Sequence, residues 1–253
     1  MSRMHEPTFA EIIHKSTELL KNNFKSLIAV SLFAAIVQQL CQVYLIQLGL
    51  NKVLQVASEQ GVQAVQDSIP SSTMITIGLI FVVVGLVELI SCAVYMVYAN
   101  ESWQGKKVSI LSSLQNVIKV LPVLIITTIL IKFVCGIFLM GILFFVGILL
   151  YALFLIYMPV VLLEKKGVFQ SLKQCVNLSK CAYFKNVGIT VFTFIALMIP
   201  SIVSMLLNQS DGLGFGIEQV VSVFLSALVY PWVSIIILGQ YYALKAKQAN
   251  LSE

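Results

Sequence analysis

The chain has 253 residues, of which 59% are hydrophobic and only 11% charged, with a net charge of +5. Ordinary soluble domains carry about 25% charged residues. A soluble fold of this length cannot hide that much apolar surface, so the composition excludes a water-soluble globule and points to helices solvated by lipid. The fold class expected is all-α, a single polytopic membrane domain over residues 1–253.

From the N-terminus, the first 26 residues are amphipathic and charged, with no cleavable signal peptide evident. The first apolar run inserts as an uncleaved anchor. A span needs roughly 20 apolar residues, and six runs qualify: about Leu27–Leu48, Thr73–Tyr98, Leu121–Met140, Ile142–Leu163, Val187–Leu207 and Val220–Leu244. The third and fourth form one long run broken only by Gly136, Gly141 and Gly147. It is about twice the length one span requires, so a tight hairpin at the outer boundary divides it.

Lysine and arginine set the orientation. The N-terminal segment, the second-to-third and fourth-to-fifth connections and the tail together hold fourteen of the sixteen basic residues. Lys52 lies on the opposite side and Lys132 inside a span. The lysine-rich face is therefore expected in the cytoplasm, and an even number of spans puts both termini there. The outer connections, Asn51–Ser72 and about Asn208–Gln219, are mildly acidic. Gly212, Gly214 and Gly216 read as a flexible turn, since no strand precedes them to make a phosphate loop.

Each basic segment is amphipathic and leads into a pair of spans. Phe9, Trp103 and Phe169 are each followed fifteen residues later by Phe24, Ile118 and Phe184, and then directly by Lys25, Lys119 and Lys185. The first segment carries an apolar stripe at Phe9, Ile12, Ile13, Leu19, Leu20, Phe24 and Leu27, the third at Phe169, Leu172, Val176 and Tyr183. One reading is a threefold repeat of interfacial helix plus hairpin (residues 7–100, 101–164 and 165–247). The other is that every short connection between spans needs basic and amphipathic residues.

The segment YMPVVLLEKKGVFQSLKQCVNLSKCAYFKN runs from Tyr157 to Asn186. Its Pro159, Glu164, Gly167, Val168, Phe169, Ser171 and Lys173 resemble the motif of the YciC family of bacterial inner-membrane proteins, related to the membrane domain attached to some glycerophosphodiester phosphodiesterases. Chain length, six spans and the amphipathic N-terminal segment agree with that likeness. Cys175 departs from it, standing where a small residue such as serine is usual. The resemblance implies a Gram-negative inner membrane and no assigned activity.

Chemistry-bearing residues are few. Glu88 in the second span and Lys132 in the third sit at similar depths, about 15–18 Å from the cytoplasmic ends. They are expected to form an intramembrane charge pair, either fixing helix docking or serving as a substrate or proton site. Glu164 has no acid, base or metal ligand near it in sequence and is expected to cap or anchor the following helix. His5 and His14 do not share a helical face, and no CxxC, HExxH or G-x-S-x-G motif occurs. The five cysteines are odd in number and scattered, so they are read as reduced. Neither metal nor cofactor is expected. Pro231 removes a helical hydrogen bond and marks a kink in the sixth span, as in the broken helices of transporters or in an inert span.

Lys25, Lys119, Lys165, Lys166, Lys173, Lys180 and Lys185 are the expected contacts to anionic inner-leaflet lipid, with the amphipathic segments lying flat and their apolar faces toward the acyl boundary. The function expected is therefore non-enzymatic: organising lipid or supporting an envelope complex. The alternative is a small transporter for a lipid or apolar solute.

Overall fold

The computed structural model describes residues 7–60, 70–106, 108–139, 144–207 and 217–251. Among these every regular element is an α-helix. In chain order they are α1 (Phe9–Asn22), α2 (Phe24–Gln47), α3 (Leu50–Gln60), α4 (Ser71–Trp103), α5 (Ile110–Leu139), α6 (Phe144–Phe154), α7 (Tyr157–Glu164), α8 (Val168–Lys180), α9 (Tyr183–Leu207) and α10 (Ile217–Leu251). Six stretches are long and apolar enough to cross a membrane: α2, α4, α5, α6 with α7, α9 and α10. They coincide with the six expected runs. The expected turn between the third and fourth spans, the Asp211–Gly216 stretch, Lys107 and His5 lie outside the described residues.

The spans close into a ring in which α2, α4, α5, α6, α9 and α10 each pack on the next, and α10 returns to α2. Their lipid-facing sides are unlike the surface of a soluble protein. Phe33, Ile75, Leu79, Ile129, Phe133, Ile195, Ile202 and Phe224 are all more than half exposed. The packed core lies toward one end. Ala93 through Ala99 of α4 are buried on every side, as are Val233–Ile236 and Leu238–Tyr241 of α10, with Tyr95 and Tyr241 among the largest enclosed side chains.

Prolines act differently by position. Pro159 cannot donate to Leu155 and its ring crowds that carbonyl, and the fourth span is interrupted at Leu155 and Ile156, between α6 and α7. By contrast α10 runs unbroken through Pro231, as α5 does through Pro122 and α9 through Pro200.

Contacts between helix ends gather the lysine-rich segments on one side. The Tyr98 hydroxyl donates to Asn23 Oδ1 at 3.2 Å, Asn23 Nδ2 to Ser102 Oγ at 3.4 Å, Asn116 Nδ2 to Glu101 Oε1 at 3.1 Å, and Lys185 Nζ to the Pro7 carbonyl at 2.9 Å. The junction of α1 and α2 and the first turns of α5 thus meet the end of α4, and the start of α9 meets the start of α1.

Two expectations about the amphipathic segments are corrected. The second segment is not a separate helix. Its residues close α4 and open α5, and Ile118 and Lys119 sit inside α5. The first and third do form separate helices, but neither spends its buried face on lipid. A capping box starts α1, Thr8 Oγ1 accepting from the Glu11 amide and Glu11 Oε2 from the Thr8 amide. The helix then lays Ile12 against α10, where a Cβ on Gly239 would meet Ile12 Cγ2 at 2.8 Å. Phe9 stacks edge-on to Phe192, which stacks on Trp232, and the Trp232 indole donates to Thr17 Oγ1 at 3.1 Å. In α8 the enclosed face is Ser171, Cys175, Leu178 and Ser179, while Phe169 of the expected stripe is 81% exposed. Small residues let α8 approach closely enough for Ser179 Oγ to reach the Leu153 carbonyl at 2.9 Å.

The Gly239 contact gives a direct test. Gly239→Ala should destabilise by about 1–3 kcal/mol, since the β-branched Ile12 cannot swing aside. In an Ile12→Ala background the same change should cost almost nothing, as read by thermal unfolding of the purified protein in detergent.

Candidate functional site

The lysine-rich end is where polar side chains converge, and Glu164 is its hub. The chain leaves α7 there with Lys165 in the left-handed region (φ 51°), and Gly167 starts α8 in extended conformation. That turn directs the Glu164 carboxylate sideways. Oε2 pairs with Lys166 Nζ at 2.6 Å and Oε1 with Lys245 Nζ at 3.1 Å, and the Tyr241 hydroxyl donates to Oε1 at 3.0 Å. Lys245 also lies 5.2 Å from the Tyr241 ring centroid. Glu164 therefore anchors the α7–α8 turn to α10 through charge, as expected. It does not cap α8, whose start at Gly167 has no side-chain cap. Ser171 closes the turn, its hydroxyl donating to the Lys166 carbonyl at 3.3 Å.

The other motif residues have separate places. Pro159 is buried where α7 begins. Gly167 faces open space. Phe169 and Lys173 point outward. Cys175 is enclosed, and burial with the nearby Glu164 charge pushes its thiol up to about 12, which leaves no reactive thiolate. All five cysteines are free.

The expected charge pair is not formed. Among the described residues, no ion pair includes Glu88 or Lys132. Lys132 stands on the exposed face of α5, whereas Glu88 is half-buried on α4 beside Gln38, Ser91, Cys92 and Tyr230. Equal depth set their height but not their direction around each helix. The crevice at Glu88 is about 10 Å³, room for no more than one water.

Of the lysines expected at lipid, Lys25, Lys119, Lys165, Lys173 and Lys180 are exposed. Lys166 is committed to Glu164 and Lys185 to the start of α1, so those two hold the protein's own end together.

A feature that sequence reasoning missed is a cavity of about 760 Å³ between α1, the end of α4 and α10. Its floor is Ile12, Leu19 and Gly239, and its rim includes Lys15, Glu18, Gln104, Trp103 and Tyr242. The rings of Trp103 and Tyr242 meet edge-on at 5.8 Å, and the Tyr242 hydroxyl bonds Asn100 Oδ1. The signal in sequence was faint, since these residues come from three distant segments. Deeper still, Gln240 Nε2 donates to Asn186 Oδ1 at 2.6 Å, with Asn186 Nδ2, Thr190 Oγ1 and Gln240 Oε1 enclosed without partners.

Among the described residues no cluster of three or more His, Cys, Asp or Glu could hold a metal. No protein-family model, curated protein or solved structure matches the chain.

The Glu164 hub predicts a specific loss. Glu164→Gln should lower stability by about 1–3 kcal/mol and Tyr241→Phe by about 0.5–1.5 kcal/mol. The double variant should lose less than the sum, because both remove one network. Unfolding in detergent at low and high salt would measure this, and the Glu164→Gln loss should shrink at high salt because both lysines are part-exposed.

Proposed function

We propose that this is a non-enzymatic protein of a bacterial inner membrane that organises anionic lipid at its cytoplasmic face. In this reading both termini are cytoplasmic, because fourteen of sixteen basic residues gather in the segments at that end. The likeness of Pro159–Lys173 to the YciC motif supports the inner-membrane assignment.

One observation carries the lipid reading. With its small-residue face docked inward, α8 turns Phe169, Lys173 and Lys180 outward, at spacings of four and seven that place them on one side of the helix. Phe184 follows, 87% exposed, at the start of α9. Bulky apolar side chains interleaved with free lysines, where spans leave the hydrocarbon, suit an anionic headgroup layer, and each such lysine adds about 1 kcal/mol of attraction. Partners of this kind are membrane lipids, and the reading requires no cofactor.

The triple variant Lys165→Gln, Lys173→Gln, Lys180→Gln should fold normally yet lose most of its enrichment of anionic over neutral lipid. Quantifying the lipids retained by purified protein from bilayers of mixed composition would show it. Unchanged enrichment would reject the reading. Labelling of a cysteine placed at Lys173 from the periplasmic side should fail, and success would reverse the topology.

A further inference from the structure

The cavity between α1, α4 and α10 uses none of the residues that α8 offers to lipid. Its volume, about 760 Å³, falls within the range of small-molecule sites, roughly 300–1,000 Å³. Its chemistry is mixed in a particular way. Lys15 and Glu18 stand three residues apart on α1, close on the helix surface. Among the described residues neither takes part in an ion pair, with each other or with any other group. One positive and one negative charge are therefore both left for a ligand at the same rim. A simple anion would meet Glu18, and a simple cation would meet Lys15. A ligand that carries both charges satisfies both.

The surroundings favour the same choice. Trp103 is held by its edge-on contact with Tyr242, and an ammonium group is attracted to a tryptophan face. The floor of Ile12, Leu19 and Gly239 is apolar and accepts carbon rather than charge. Gly239 also keeps α1 close enough to form the wall, since Ile12 Cγ2 lies only 2.8 Å from the point a Cβ at 239 would occupy.

We propose that this cavity binds a zwitterionic amino-phosphate group of the phosphoethanolamine type, its phosphate at Lys15 and its ammonium between Glu18 and Trp103. The group can arrive on a membrane lipid, since the cavity lies where the spans end, or as the free soluble compound.

Calorimetric titration of the full chain in detergent tests this with short-chain phosphatidylethanolamine, free phosphoethanolamine and short-chain phosphatidylglycerol. Saturable binding of phosphatidylethanolamine is expected, and once Lys165→Gln, Lys173→Gln and Lys180→Gln together remove the α8 lysines, phosphatidylglycerol should bind at least tenfold more weakly. Lys15→Gln and Glu18→Gln should each weaken it about tenfold, the loss of a charge-assisted contact, while Lys173→Gln should leave it unchanged. Binding of free phosphoethanolamine with similar affinity would mark a soluble ligand, and binding of the lipid alone would mark a headgroup site. Gln104→Lys, an exposed change with little folding risk, should shift preference toward phosphatidylglycerol. Equal binding of the two lipids by that α8 triple variant, or Lys15 and Glu18 variants that bind phosphatidylethanolamine as the unaltered protein does, would overturn the proposal. Loss of anionic-lipid enrichment in the α8 variants would leave it standing, because those lysines lie elsewhere.

Discussion

Ile12 rests on the bare backbone of Gly239, and the lysine-rich end is assembled around that contact. Any side chain at 239 would hold α1 away from α10. With α1 in place, its Thr17 accepts from Trp232, its Phe9 meets Phe192, and its Pro7 carbonyl receives Lys185. The apolar stripe is then consumed inside the protein. What remains is the polar flank of α1, with Lys15 and Glu18, and that flank becomes a wall of the cavity. A helix that could have floated on the membrane has become a structural part whose polar side lines the cavity.

The spans were legible because hydrocarbon imposes one severe rule: backbone polar groups must be satisfied within the segment. Runs of apolar residues long enough to cross therefore have to be helices, and lysine bias supplies direction. The destination of an amphipathic stripe was not legible. Ile12 and Leu19 would look the same in sequence whether they faced lipid or α10. For α8 the stripe did not mark the docked face, because close approach there selects small residues beside a single leucine: Ser171, Cys175, Leu178 and Ser179 went inward, while Phe169 stayed out. Beyond the neighbouring Lys166, the partners of Glu164 were hidden for a different reason: Tyr241 and Lys245 lie some eighty residues along the chain. Glu88 and Lys132 failed as a pair because residue counting along a helix measures depth and says little about azimuth when the neighbouring helix is unknown.

The two ends of the bundle have opposite characters, and the reason lies in where polar groups can be satisfied. Toward the lysine-rich end, Asn23, Ser102, Asn100, Glu101 and Glu164 find partners on other helices, and α4 and α10 are enclosed on all sides. Toward the other end α4 presents Ile75, Leu79, Phe81 and Val82, and α9 presents Met198, Ile202, Met205 and Leu206, all exposed. Apolar side chains gain nothing by leaving lipid for one another, since the tails are equally apolar. Tight association therefore needs specific geometry: hydrogen bonds between helices, a glycine at a crossing, or a shared carboxylate. This chain places all three at the end where its lysines gather. An enclosed, polar, charge-bearing end is thereby joined to one whose apolar side chains face outward, because only the first has the groups that hold helices together in lipid.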